Sequence, residues 1–246
     1  MIPKCFVINM PSAQDRRESM TTSLNNLGIN FEFFEATNGR ELTPEQEQQC
    51  LHQDEVVLPL RAGRKVIVKN SLTPGEFGCA FSHLRLYQHI LDSGLDRAVI
   101  LEDDVDPHPD TILALENLDK ITEPWDVVHF SSHKGIKNLP FSHKYYFGPD
   151  KRYYFQRLGM HNPTIDAIHN QRRVLIYTTM YVVTRRACER LLELGYPVRL
   201  PSDYLLGLLC YNELRMFRAF PLDHYVRFKD VPSTIGAGRE HNLIRA

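Results

Sequence analysis

Hydrophobic residues fall in two spacings along this chain, and the two alternate. Cys5-Phe6-Val7-Ile8 is an unbroken apolar run that stops at Asn9, which predicts a strand over 4–9. Met20, Leu24 and Leu27 then repeat at i, i+4, i+7. They predict an amphipathic helix over 13–27, with Ser12 as its N-cap and Gly28 at its end. Strand spacing returns over 31–36. A strand–helix–strand opening favours a parallel pair joined by a right-handed crossover, and so an α/β fold.

The alternation continues. A short helix is predicted over 44–50, then a hairpin over 56–68 turning at Ala62-Gly63. Thr73 and Glu76 are spaced as a capping box with Pro74 at the first helical position. Phe77, Phe81, Leu84, Ile90 and Leu91 give that helix one buried side, and Ser82 and His83 lie off the stripe. Its small residues, Gly75, Gly78, Cys79 and Ala80, allow another backbone or a ligand to come close. Further on, a helix is predicted over 110–118, a strand over 125–131, a strand over 174–184 and a helix over 185–194. Pro201-Ser202-Asp203 opens another helix running to 212, and strands close the pattern at 215–220 and 223–228. Residues 132–171 carry no helical stripe. There Tyr145-Tyr146-Phe147 and Tyr153-Tyr154-Phe155 flank Gly148-Pro149-Asp150, as a small hairpin or a flap would. The tail, 231–238, is polar and Gly-rich.

One strand stands out. Ala98-Val99-Ile100-Leu101 runs straight into Glu102-Asp103-Asp104, with Asp106 two residues on. Acids at the carboxyl end of a buried strand sit where α/β sheets place ligands. Carboxylates this close repel one another unless a cation lies between them, and oxygen ligands suit Mg²⁺ or Mn²⁺ holding a diphosphate. The alternative is an acidic loop that caps the helix after Pro107. Arg16 and Arg17 oppose the dipole of the first helix, which an anionic ligand above the strand would explain, as would simple solvation. Asp203 is either a cap or a functional acid in a first turn.

Composition narrows the class. The chain has 246 residues and is 43% hydrophobic, enough for a single large domain over 1–246, with a first half over 1–131 and a second over 132–246. The formal net charge of −1 hides an asymmetry. Residues 1–150 carry 14 Lys and Arg against 22 Asp and Glu, whereas residues 151–246 carry 15 against 8. A metal-binding first half facing an anion-binding second half would have this balance, and so equally would two faces that attract each other. The 5 cysteines are irregularly spaced without a CxxC, so reduced thiols are expected rather than disulfides or a zinc knuckle. The apolar run at the N-terminus is too short for a signal peptide, and nowhere does an apolar run reach a membrane span. A cytoplasmic protein is expected, at most peripheral at the inner face of the membrane. No GxGxxG and no P-loop is present, and no nucleic-acid partner is expected.

Taken together, several of these segments resemble glycosyltransferase family 25. They are Val7-Ile8-Asn9 with Arg16-Arg17, Phe33-Phe34-Glu35-Ala36 with Gly39, and a "G-x-x-G-C-x-x-S-H" helix made by Gly75, Gly78, Cys79, Ser82 and His83. An "L-E-D-D" run at 101–104, Thr178-Thr179-Met180-Tyr181, Pro201-Ser202-Asp203 and Pro232-Ser233-Thr234-Ile235 complete the set. The likeness spans the chain except 132–171. It implies a GT-A fold, a Rossmann-like mixed sheet with flanking helices. It also implies a bacterial enzyme that extends lipooligosaccharide or lipopolysaccharide, commonly with galactose from UDP-galactose and with Mn²⁺ or Mg²⁺.

By that resemblance Glu102-Asp103-Asp104 stands for the DxD motif, with Asp104 the direct metal ligand and His224 the further histidine ligand such enzymes often carry. Asp203 is the base, and Asn9, Arg16, Ala36, Asn38, Gly75, Ser82, His83, Glu102 and Asp103 lie on the substrate side. Two rival readings stay open: a non-catalytic glycan- or sugar-nucleotide-binding module, and a metal-dependent sugar-nucleotide hydrolase.

Overall fold

The computed structural model describes residues 1–60, 63–69, 71–130, 142–159, 177–229 and 244–245. It opens on β1 (Lys4–Asn9), α1 (Gln14–Asn26) and β2 (Phe31–Glu35), with β1 and β2 parallel as expected. Helix α1 starts one residue later than predicted. Ala13, not the expected Ser12, stands at the N-cap, and an alanine has no side-chain oxygen to offer the first-turn N–H groups; Ala13 N–H itself donates to Met10 O in a turn (2.8 Å). Helix α2 (Pro44–Gln48), the hairpin β3 (Glu55–Pro59) and β4 (Lys65–Lys69), and the long α3 (Pro74–Asp92) follow. Ala62 of the predicted turn lies outside the described residues. Both α2 and α3 begin with a capping box, Thr43 with Gln46 and Thr73 with Glu76. These side chains supply partners for amide N–H groups that a helix start leaves unpaired.

The acidic strand is β5 (Arg97–Glu102), which turns at Asp103-Asp104 into the short β6 (Val105–Pro107) and α4 (Asp110–Glu116). Then come β7 (Val127–His129), β8 (Lys144–Tyr146) paired with β9 (Tyr154–Arg157), and β10 (Met180–Thr184). The two aromatic triplets thus form a hairpin. Helix α5 (Arg185–Gly195) leads to a predicted single helix that is in fact two, α6 (Ser202–Gly207) and α7 (Leu209–Asn212), broken at Leu208. Asn212 closes that break by donating to Leu205 O (2.7 Å) and Leu206 O (2.8 Å). The chain ends with β11 (Met216–Phe220), β12 (Val226–Phe228) and β13 (Ile244–Arg245). Positions 174–176, most of 132–171 and the 231–238 tail, including Pro232-Ser233-Thr234-Ile235, lie outside the described residues.

Eight strands form one mixed sheet in the order β2-β1-β5-β10-β7-β11-β9-β8. Strand β10, from the second half of the chain, inserts antiparallel between β5 and β7 of the first half. Alternate side chains of each central strand feed the two sides of the sheet. Phe6, Ile100, Tyr181, Val127 and Met216 pack on the side of α3 and α5–α7. Val7, Val99, Val182, Val128 and Phe217 pack on the side of α1 and α4. This is a three-layer α/β fold with a mixed sheet, as expected. Among the described residues no helix is long and apolar enough to cross a membrane. All five cysteines are free thiols.

Candidate active site

The carboxyl ends of β1 and β5 lie side by side, with Ile8 level with Glu102. A pocket of about 330 Å³ opens above them. Its walls come from the end of β1, the first turn of α1, the 36–40 loop, the start of α3 and the acidic turn. Of the residues expected on the substrate side, Arg16, Ala36, Asn38, Gly75, Ser82, His83, Glu102 and Asp103 line it, as does Asp104. The small residues of α3 act as the sequence suggested. A Cβ on Gly78 would stand 2.6 Å from Thr37 O and 2.6 Å from Gly39 N, so only glycine lets the 36–40 loop cross the helix this closely. Ser82 locks the crossing, accepting from Thr37 N–H (2.8 Å) and donating to Gly78 O (2.6 Å).

The three acids have separate surroundings. Asp103 is buried with both oxygens engaged: Arg16 Nη1 donates to one at 2.7 Å and Asn9 Nδ2 to the other at 2.7 Å. The protein's own carboxylate therefore answers Arg16. Arg17 lies over the Phe33 ring, 3.9 Å from its centroid, and donates to Asn9 Oδ1 at 3.3 Å. Asn9, expected on the substrate side, is buried and does not line the pocket; its bond to Asp103 fixes the turn.

Glu102 accepts from Thr178 Oγ1. His83 Nε2 approaches it at 3.5 Å, an electrostatic contact rather than a hydrogen bond. His83 is buried although it lies off the apolar stripe, packed against Tyr181 of β10 and Tyr87 of its own helix. Its Nδ1 shares a proton with Tyr181 Oη (2.7 Å), which in turn meets Tyr87 Oη (2.7 Å).

Asp104 differs from both. It is half-buried, and among the described residues no hydrogen-bond partner reaches its buried Oδ1. Burial first, then Glu102, pushes its carboxyl up to about 6 from 3.8, against the pull of Arg16 and with Asp103 adding to the rise. Such an atom is what a divalent cation with hard oxygen ligands would use, together with waters and a substrate phosphate. Asp104 therefore fits such an ion; Glu102 belongs to a separate candidate ligand group at the same pocket, its carboxylate within 4.8 Å of ligand atoms of Cys79 and His83.

Asp203 is buried in the first turn of α6 and does not line the pocket. Its neighbour Ser202 ties this turn to the site: Ser202 Oγ lies 3.1 Å from Cys79 Sγ and 3.3 Å from Thr178 Oγ1. His224 is not with Asp104. Strand β12 pairs antiparallel with β6, Phe228 opposite Val105 and Val226 opposite Pro107. Lys229 N–H reaches Asp104 O at 2.8 Å, which leaves His224 at the opposite end of the ribbon, beside Asp110 (2.6 Å). Position along the sequence gave no hint of this register.

That register also brings up residues that sequence reasoning missed. Burial lowers the ammonium of Lys229, and the acids at 106, 103 and 104 pull it back up. Tyr177 and Phe228, both exposed, stack edge to face with ring centroids 5.1 Å apart. Each adjoins an acid-site residue, Thr178 and Lys229. The two are 51 positions apart in the chain, and the fold alone brings their rings together.

A family model described as glycosyltransferase family 25 (LPS biosynthesis protein) matches residues 2–206, and the chain belongs to that family. A Bos taurus protein named as an inactive member 3 of the family is 33% identical over 128 residues, half of this chain and 21% of its own length. Mouse procollagen galactosyltransferase 2 is 27% identical over 128 residues, 50% of this chain and 20% of its own length. A Haemophilus influenzae protein named as a glycosyltransferase is 31% identical over 100 residues, 41% of this chain and 32% of its own length. The matched part is thus a fifth to a third of these relatives. Among solved structures, a glycosyltransferase that modifies the PBCV-1 major capsid overlaps loosely, with TM-score 0.44 and 10% identity over 93% of this chain and 94% of the other. A Drosophila β-1,4-galactosyltransferase 7 variant with manganese, UDP-Gal and xylobiose overlaps with TM-score 0.39 and 10% identity, over 92% and 68%.

Proposed function

We propose that this chain is an inverting, metal-dependent glycosyltransferase that moves a hexose, galactose from UDP-galactose in the first instance, onto a lipooligosaccharide or lipopolysaccharide saccharide. The observation that carries the reading is the carboxylate Asp104, half-buried at the mouth of a pocket, with its Oδ1 lacking a hydrogen-bond partner among the described residues. Asp104 and Glu102 would hold Mn²⁺ or Mg²⁺ there, and the bound ion would offset the diphosphate charge as UDP departs.

The remaining roles belong to the chain's own residues. Arg16, held by Asp103, keeps a positive charge facing the pocket, where it favours the diphosphate. The 36–40 loop and the start of α3 form the wall for the rest of the nucleotide. Asp203 is the proposed base. It takes the proton of the acceptor hydroxyl as that oxygen bonds to the anomeric carbon, and the bond from that carbon to UDP breaks with its electron pair leaving on UDP. What supports this reading is its neighbour Ser202, whose Oγ lies 3.3 Å from Thr178 Oγ1, the donor to Glu102. Tyr177 and Phe228 are the proposed acceptor platform.

Incubation with UDP-galactose, Mn²⁺ and a lactoside or glucoside acceptor tests the reading. Free UDP and a glycan heavier by one hexose are expected, and Asp203→Asn is expected to bind UDP yet lose transfer. UDP released without acceptor would instead indicate a hydrolase. The cattle relative named as inactive makes a binding module the second reading; UDP binding without any turnover, across UDP-galactose, UDP-glucose and their N-acetyl forms, would favour it.

A further inference from the structure

The register of β12 against β6 that removes His224 from Asp104 assembles a different cluster. His224 Nε2 lies 2.6 Å from Asp110 Oδ2, and His108 Nδ1 lies 3.8 Å from the same oxygen. The two imidazoles stand with ring centroids 4.4 Å apart, and one ligand atom from each of the three residues lies within 4.8 Å of the others. Ligand atoms on a tetrahedral ion at about 2.0–2.1 Å stand about 3.3 Å apart, a value these distances bracket. The side chains are 28–32% exposed, so an ion and its waters can reach them. The backbone beneath is fixed. His108 N–H donates to Tyr225 O at 2.8 Å, and Thr111 Oγ1 donates to the same oxygen at 2.7 Å. Tyr153 Oη, donating to Asp110 Oδ2 at 2.8 Å, stands by as a further ligand or as the group that orients the carboxylate.

We infer that His108, Asp110 and His224 form a second metal site, separate from the acidic turn and selective for a borderline transition ion such as Zn²⁺ or Co²⁺. Two imidazoles with one carboxylate prefer such ions, whereas the all-oxygen set at Glu102 and Asp104 prefers Mg²⁺ or Mn²⁺. The ion takes the place of the proton that His224 shares with Asp110, and it displaces the contact from Asp110 N–H to His108 Nδ1 (3.1 Å). The site is a clamp: it joins the start of α4 to the segment entering β12, whose far end holds Asp104 O through Lys229 N–H.

The test is a Co²⁺ titration of the whole chain, read in the visible d–d bands and competed with Zn²⁺. One equivalent with nitrogen and oxygen ligation is expected, distinguished from any Co²⁺ at the acidic turn because it persists in Asp104→Asn. His224→Gln and His108→Gln should each weaken it about 10–100-fold, and Asp104→Asn and Cys50→Ser should leave it unchanged. Circular dichroism and thermal melting in EDTA establish that the histidine variants are folded, and Zn²⁺ should raise the Tm of the parent but not of His224→Gln. Equal Co²⁺ binding by the parent and both histidine variants would overturn the inference. So would a sulfur-to-cobalt charge-transfer band lost in Cys50→Ser, which would place the ion at Glu47, Cys50 and His52 instead.

Discussion

Replacing Asp104 by Asn should stabilise the metal-free protein at neutral and alkaline pH while removing its response to Mn²⁺. The carboxyl is shifted from 3.8 to about 6 by burial and by Glu102. Two units at about 1.4 kcal/mol each give an upper bound of about 3 kcal/mol. Asp104 is only half-buried, and solvent screening reduces this to about 1–2 kcal/mol. The sign follows from a folded-state pKa above the unfolded one. Proton binding favours the folded chain, so this contribution is complete below about pH 4 and is lost as pH rises through about 6. Urea unfolding in EDTA should therefore show the Asn variant more stable than the parent at pH 8, with the gap closing toward pH 4. Saturating Mn²⁺ should reverse the order at pH 8, because a ligand at 100 times its Kd adds about 2.7 kcal/mol to the form that binds it. An Asn variant less stable than the parent at pH 8 in EDTA would refute the reasoning, since it would mean that the carboxylate is already satisfied by the protein.

Asp126 is the opposite case: fully buried, it accepts from Arg215 N–H (2.7 Å), from the Arg215 guanidinium (3.0 and 2.9 Å) and from Arg186. Burial raises its carboxyl, but these donors outweigh it and hold it below the usual range. Asp126→Ala should lose about 3–5 kcal/mol in urea unfolding, and the parent should lose this contribution only as pH falls below about 4. Gly78→Ala should displace the 36–40 loop, because its Cβ would meet the backbone of that loop at Thr37 and Gly39; a folded protein with weakened UDP binding is the expected readout in calorimetry. Tyr177→Ala combined with Phe228→Ala should raise the acceptor KM several-fold and leave UDP affinity unchanged. A change in UDP affinity alone would place the pair on the donor side.

What could be read from the sequence was what is decided locally. The β1–α1–β2 opening, the capping box at Thr73 and Glu76, and the acidic turn after β5 each depend on residues within a few positions of one another. The Gly-rich face of α3 also carried its own message, since the crowding at Gly78 is the reason for the small residues. What could not be read depends on pairing at long range. His83 lies off the apolar stripe of α3, yet it is buried because Tyr181 of β10, nearly a hundred residues away, packs against it. The single helix expected after Pro201 breaks at Leu208 because Asn212 turns back on it. His224 and Phe228 take their neighbours from a ribbon whose other strand is over a hundred residues away. A shift of that register would have given each a different role, and nothing near them in sequence fixes it.

The most direct measurement is UDP binding by calorimetry, for the parent and for Asp104→Asn, with Mn²⁺ and with EDTA. If the acids closing β5 hold a divalent ion that anchors the diphosphate, UDP binds the parent at least tenfold tighter with Mn²⁺ than with EDTA, and the Asn variant shows no such difference. Equal affinity in both conditions for the parent would contradict it.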